Sequence, residues 1–298
     1  MATLFQTEKL PAMTPSPELS RSRLLARPWV RIALYVLGGY VGLVLMLLFF
    51  ENRLIYHPTP AAQHWLEAPN ADIQDIELPS AGGTRIHAWW YPAKDSDEAL
   101  LYCHGNAGNL SHRGPSVVKM SQLLNVSVLI FDYPGYGKSA GQPSEQGCYH
   151  AADAAYAWLT DKKNFAPKKI LLYGGSLGGG VATDLACRKD HRALILVKTF
   201  TSLPDVAADL YWWLPAPKRL LMRNQMNSVS KIKLIHRPVF IAHGTADPLI
   251  PYAHGQRLFA AANEPKRFFS MPGADHVDRL PNELFMSLKE FLHENPVK

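Results

Sequence analysis

Apolar and polar positions divide this chain into two unequal parts. From Ile32 to Phe50 no residue carries a charge, and the run IALYVLGGYVGLVLMLLFF is apolar throughout. Beyond it, short apolar runs alternate with longer amphipathic stretches. The runs predict strands at about 72–79, 84–91, 99–103, 126–131, 168–173, 193–198, 237–242 and 266–270. The stretches between them predict helices at about 110–124, 144–160, 177–188, 252–262 and 281–293. Such alternation points to an α/β body with a mostly parallel sheet and helices on both faces, the first two strands pairing antiparallel. The alternation breaks between the strands at 193–198 and 237–242, where helix-like segments and the dense aromatics Tyr211, Trp212 and Trp213 predict a small cap at about 200–235.

At ~1.5 Å per residue the first run is about 29 Å long, close to the ~30 Å hydrocarbon core of a bilayer. Arg21, Arg23, Arg27 and Arg31 precede it, and only Arg53 follows within about twenty residues. This imbalance predicts a single-pass signal anchor, with the N-terminus cytoplasmic and the body on the non-cytoplasmic side. A cleaved signal peptide would have a shorter apolar region and small residues at a cleavage site, whereas Phe49-Phe50-Glu51-Asn52-Arg53 ends this one. Gly38 and Gly42 form a small-x-x-x-small pattern that fits a weak homodimer. The expected organisation is a flexible tail at 1–31, the transmembrane helix at 32–50, a Pro-punctuated linker at 51–71 and the folded body at 72–298.

Composition narrows the function classes. With 298 residues, 47% hydrophobic and 19% charged, the chain suits one large folded domain rather than a disordered one. Half of the net charge of +6 sits in the first fifty residues, where Lys9 and the four arginines face Glu8 and Glu18. No concentrated basic patch remains for nucleic acid, so none is expected as a partner. Cys103, Cys148 and Cys187 are odd in number and lack a C-x-x-C pair, which predicts buried free thiols, no disulfide framework and no zinc site.

The candidate chemistry centres on Gly174-Gly175-Ser176-Leu177-Gly178, a G-x-S-x-G element between a predicted strand and a predicted helix. Small neighbours permit the sharp turn that exposes a serine hydroxyl at the carboxyl edge of a sheet. A serine needs a base, and the base an orienting acid. Asp247 and His276 follow in chain order, each just past a predicted strand end at the same edge, with Asp205 as the alternative acid. The loop His104-Gly105-Asn106-Ala107-Gly108-Asn109 follows the strand at 99–103. Its position makes the Asn106 N–H, together with that of Leu177, the candidate oxyanion hole. The chain has neither G-x-x-x-x-G-K-[ST] nor G-x-G-x-x-G after a strand, which argues against a phosphate cradle. A thiol nucleophile at Cys103 beside His104 would leave Ser176 without a role.

Together these segments resemble the membrane-anchored α/β-hydrolase family shared by bacteria and eukaryotes, which includes depalmitoylase and lysophospholipid lipase-type members. The resemblance runs over roughly residues 30–295 and rests on several strings. They are Phe50 to Pro58, the H-G-N-A-G-N loop, Asp132-Tyr133-Pro134-Gly135-Tyr136-Gly137-Lys138-Ser139, the elbow, Phe200 to Leu203, His243 to Asp247 and the His276 loop. One departure is Asp275, where the family commonly has glycine before the histidine. The resemblance implies the α/β-hydrolase fold and a serine hydrolase that cleaves esters or thioesters, lipid-like acyl esters among them. It implies a triad of Ser176, Asp247 and His276, and no cofactor or metal. The fold also hosts serine aminopeptidases and dipeptidyl peptidases, and a tethered non-catalytic binding module is a third reading.

Overall fold

The computed structural model describes residues 28–296. The expected tail, with Arg21, Arg23 and Arg27, lies outside the described residues up to position 27. The chain divides between Phe49 and Phe50 into two compact units. The first is helix α1 (Pro28–Phe49), 22 residues with none buried. It is long and apolar enough to cross a membrane, by length and composition. Among the described residues nothing lies within 4 Å of the Cβ positions that Gly38 and Gly42 lack.

The second unit is built on one eight-stranded sheet. Its strands are β1 (Gln74–Pro79), β2 (Arg85–Tyr91), β3 (Ala99–Cys103), β4 (Ser127–Phe131), β5 (Ile170–Gly175), β6 (Ala193–Val197), β7 (Val239–Gly244) and β8 (Lys266–Met271). Their order is β1-β2-β4-β3-β5-β6-β7-β8. β2 runs antiparallel to β1 and β4, and every other pairing is parallel. Strands β3, β4 and β6, apolar but for Ser127 at the start of β4, are buried along their whole length, as strands covered on both faces must be. On one face pack α4 (Glu145–Ala157), α5 (Leu177–Arg188) and α9 (Ala253–Ala261), through residues such as Cys148, Val181 and Leu258. On the other pack α3 (Gly114–Leu124) and α10 (Asn282–Glu294), through Val117, Met120, Leu284 and Leu288.

Two expectations change. The helix predicted at 110–124 opens as a 3-10 turn, Leu110–Arg113, and becomes α-helical only from Gly114, because Pro115 suits the first turn of a new helix. Residues 51–71, expected to be a linker, are hydrogen-bonded into the body. They begin with the short helix α2 (Glu51–Ile55), and Pro58 and Pro60 then form isolated bridges to Gly108 and Gly137. Proline bars a donor at its own position, but the carbonyls and N–H groups beside it still pair, which the proline pattern alone conceals. Cys103 and Cys148 are buried and Cys187 half-buried, all three as free thiols.

Between β6 and β7 lie α6 (Leu203–Leu210), α7 (Lys218–Leu221) and α8 (Ser228–Lys231). Ser202 starts α6 by accepting from the Asp205 N–H at 3.2 Å. After α6 the aromatic segment leaves Trp212 80% and Trp213 54% exposed while Leu214 beside them is buried, and Leu220 of α7 is 85% exposed.

Candidate active site

β5 ends at Gly175 and α5 begins at Leu177, so Ser176 alone makes the turn, at φ 52° and ψ −120°. That left-handed conformation is costly for a residue with a Cβ and persists only where the surroundings enforce it. Here the enforcement is visible. The Ser176 N–H donates to the Val197 carbonyl at 3.0 Å, and its carbonyl accepts from Thr199 Oγ1 at 2.7 Å. A Cβ at Gly178 would run into the Cys103 and His104 carbonyls, and one at Gly179 into the Thr199 side chain. The elbow is therefore wedged between the ends of β3 and β6, which places the serine hydroxyl at the carboxyl edge of the sheet.

Asp247 follows β7 and His276 follows β8, and the fold brings both to that hydroxyl. His276 Nε2 stands 3.1 Å from Ser176 Oγ, and His276 Nδ1 is 2.7 Å from Asp247 Oδ2. Asp247 Oδ1 accepts from the N–H groups of Leu249 and Ile250 at 3.0 and 2.8 Å. A carboxylate can only accept, so Nδ1 carries the proton and Nε2 is left to accept from the serine. The Asp247 side chain is fully enclosed. Burial acts to raise its carboxyl, but the neighbouring His243 and His276 imidazoles and the Ile250 N–H outweigh burial and hold it well below the ordinary carboxylate range.

The H-G-N-A-G-N loop lies against the serine, since a Cβ at Gly105 would stand 3.5 Å from Ser176 Cβ. Leu177 is the first residue of α5, where N–H groups lack intrahelical partners. Among the described residues neither the Leu177 nor the Asn106 N–H donates to a backbone acceptor. Part of the D-Y-P-G-Y-G string holds this loop. The Tyr133 hydroxyl donates to the His104 carbonyl, and the Tyr136 hydroxyl to Asn106 Oδ1, both at 2.8 Å.

Other sequence candidates are placed elsewhere. Asp205 accepts from Thr201 Oγ1 at 2.6 Å and from Arg219 Nη2 at 2.7 Å, away from His276. Asp275 turns its carboxylate back to accept the His276 N–H. Thr201, His254 and Asp209 imitate a second triad, with Thr201 Oγ1 2.9 Å from His254 Nδ1 and Asp209 Oδ2 2.7 Å from Nε2. That row is structural. The Thr201 hydroxyl gives its proton to Asp205, its N–H occupies His254 Nδ1 at 3.1 Å, and both Thr201 and His254 are buried. Among the described residues no group of three or more His, Cys, Asp or Glu side chains is arranged to hold a metal ion.

Sequence reasoning missed Lys198. It follows β6 at φ 48°, is 5% exposed, and its ammonium donates to the carbonyls of Asp275, His276 and Asp278 at 2.6, 3.2 and 2.9 Å. Three N–H donors meet three carbonyls of the histidine loop. Burial pulls the Lys198 ammonium below the ordinary lysine range, while the carboxylates of Asp278, Asp247 and Asp275 oppose that shift. Its only trace in the sequence is a charge at the end of an apolar strand.

Comparison with known proteins agrees with this architecture. The family model described as alpha/beta hydrolase fold matches residues 98–216. An uncharacterized protein of Mycobacterium tuberculosis, Rv2307c, is 38% identical over 266 residues, which cover 87% of this chain and 91% of that one. The alpha/beta hydrolase domain-containing protein WAV2 of Arabidopsis thaliana is 32% identical over 281 residues, covering 84% of this chain and 89% of its own. Among solved structures, the Pyrococcus furiosus esterase Pf2001 superposes with a TM-score of 0.66 at 20% identity, over 81% of this chain and 97% of the esterase. At that identity the likeness is one of fold.

Proposed function

Because this chain belongs to the α/β-hydrolase fold family, we propose that it is a membrane-anchored serine hydrolase that cleaves carboxylic ester or thioester bonds through an acyl-enzyme. The observation that carries this reading is the hydrogen-bonded row from Ser176 Oγ through His276 Nε2 and Nδ1 to Asp247 Oδ2. In the reaction Ser176 Oγ attacks the acyl carbonyl as His276 Nε2 takes its proton. Asp247 keeps the proton on Nδ1 and stabilises the imidazolium. The N–H groups of Asn106 and Leu177 receive the negative oxygen of the tetrahedral intermediate. His276 then protonates the leaving alcohol or thiol, and water, deprotonated by the same nitrogen, releases the acid.

A lipid-like acyl ester is the substrate class that the surroundings favour. Supporting it are the exposed Trp212, Trp213 and Leu220 of the cap and an apolar helix α1 that ends immediately before the body. Single-pass anchoring with a cytoplasmic N-terminus rests on that helix and on the arginines before it. A peptidase would need a carboxylate for the peptide amine, and Glu51, Glu67 and Asp205 are poor candidates: Glu51 is bonded by Asn224 and Asp205 by Arg219. The decisive experiment is Ser176→Ala in the full chain, assayed on p-nitrophenyl butyrate. Hydrolysis is expected to fall to background with the fold intact, and retained hydrolysis would refute the reading.

A further inference from the structure

The segment that follows helix α1 is bonded to the loop that carries Asn106. The Asn106 carboxamide oxygen accepts from the His57 N–H at 3.0 Å and from the Tyr136 hydroxyl at 2.8 Å. Its amide nitrogen donates to the Ile55 carbonyl at 2.5 Å. Farther along, the Thr59 N–H donates to the Gly108 carbonyl at 3.1 Å, and Asn109 Nδ2 donates to the carbonyls of Thr59 and His64, both at 2.9 Å. The side chain of Asn106 is thus occupied by residues about fifty positions earlier, while its N–H has no backbone acceptor among the described residues.

The start of the same segment is fixed independently. Glu51 is 4% exposed and accepts at Oε1 from the N–H and Nδ2 of Asn224, at 2.7 and 2.9 Å. Its Oε2 accepts from the Arg223 N–H at 3.1 Å. Asn224 Oδ1 in turn accepts from the Tyr56 hydroxyl at 2.9 Å. A buried carboxylate is costly unless its oxygens are satisfied, and Glu51 meets that need on the stretch that leads from α7 to α8. Residues 51–64 therefore form a stem gripped by the cap segment at one end and gripping the oxyanion loop at the other.

We propose that this stem is a positioning element of the active site: by holding the Asn106 carboxamide it sets where the Asn106 N–H points, and Glu51 holds the stem. The proposal rests on the serine-hydrolase reading above. An oxyanion donor works only when aimed at the place where charge develops, and small misplacements near reacting atoms carry large rate losses. Only Phe50 separates the end of α1 from the start of the stem, so the chain leaving the proposed anchor is the same chain that holds the loop of Asn106.

The test uses the full chain in detergent micelles, with p-nitrophenyl butyrate as substrate and enzyme counted by fluorophosphonate titration. Asn106→Ala keeps the N–H and removes the grip. It is expected to lower kcat about 10- to 100-fold with KM within about threefold. Glu51→Gln is expected to lower kcat about three- to tenfold in the wild-type background but by less than about 1.5-fold when Asn106 is already Ala. A stem that only braces the fold would lower Tm in both variants and leave kcat per titrated site within about twofold of wild type, which would overturn the proposal. Multiplicative losses in the double variant would also overturn it. If Asn106→Ala does not accumulate, Glu51→Gln and Tyr136→Phe decide between the same outcomes, the latter expected about three- to tenfold down in kcat with KM unchanged. Hydrolysis that survives Ser176→Ala in this assay would defeat the wider reading. Activity that needs Ser176 but ignores Asn106 and Glu51 would defeat the stem proposal alone.

Discussion

The two halves of the proposed oxyanion hole are held by opposite means. Leu177 is held chiefly by close packing, with two hydrogen bonds at Ser176 beside it: the elbow is wedged between strand ends, and glycine is required where a Cβ would strike the backbone of Cys103 and His104. Asn106 is fixed by polar contacts from His57, Ile55 and Tyr136, which belong to other parts of the chain. Sterically held geometry, here walled by the Cys103 and His104 carbonyls and the Thr199 side chain, tolerates almost no change in volume. Geometry held by hydrogen bonds depends on distant residues and should fail gradually as each bond is removed. His276, the proposed general base, belongs to the second kind, since Lys198 carries its loop on three carbonyls.

The largest effects are expected on the chemistry that both halves serve. Ser176→Ala should lower kcat by about 10⁶, and Asp247→Asn by about 10⁴ through loss of the correct imidazole tautomer. An Asp247→Asn variant within tenfold of wild type would show that another acid orients His276. The elbow can be probed by a pair of substitutions. Gly178→Ala forces a Cβ onto two carbonyls and should lower Tm by about 5–10 °C. Gly175→Ala adds a Cβ whose nearest neighbour is the Tyr173 hydroxyl at 3.7 Å, an ordinary contact, and should leave Tm nearly unchanged. Equal effects from the two would break the steric account.

Next in size is Lys198→Met. It strands three carbonyls of the histidine loop, and kcat should fall about 10- to 100-fold with KM little altered. Lys198→Arg should recover part of that loss, whereas a purely structural lysine would show lower Tm with kcat preserved. Smaller again is the pH response of the stem. Burial acts to raise the Glu51 carboxyl, but the bonds from Asn224 and Arg223 outweigh burial and hold it below its ordinary value of 4.5. A depressed folded value means that the Glu51 contribution is complete above about pH 4.5 and is lost as pH falls through the folded value. Thermal scans should therefore show less loss of Tm below pH 4.5 in Glu51→Gln than in wild type, and identical acid limbs would contradict a stem held by the Glu51 carboxylate. Smallest is Trp212→Ala with Trp213→Ala, both exposed. Tm should hold, while hydrolysis of C8–C12 esters should drop about two- to fivefold relative to C2. An unchanged chain-length profile would remove the cap aromatics from substrate recognition.

The same contrast explains what the sequence revealed. The helix predicted at 177–188 coincides with α5, and the elbow, the Asp247 turn and the His276 loop were readable because each is a local pattern at a strand end. The H-G-N-A-G-N loop was recognisable as a loop, yet its support was not. Nothing near Asn106 announces that Ile55 and His57 hold it, and the prolines at 58 and 60 suggested a linker where the chain is pinned. Lys198 was hidden for the same reason: its acceptors lie 77 to 80 residues downstream. Asp205 was plausible as an acid from its place in the chain, and only the partners Thr201 and Arg219 show that it is engaged elsewhere.

The central claim is that Ser176 is the nucleophile of the hydrogen-bonded row. The full chain in detergent micelles should be treated with a fluorophosphonate, digested and mapped by mass spectrometry. The account predicts a single adduct on Ser176, abolished in Ser176→Ala and formed far more slowly in Asp247→Asn. An adduct on another residue, or labelling of Ser176 at the wild-type rate in Asp247→Asn, would contradict it.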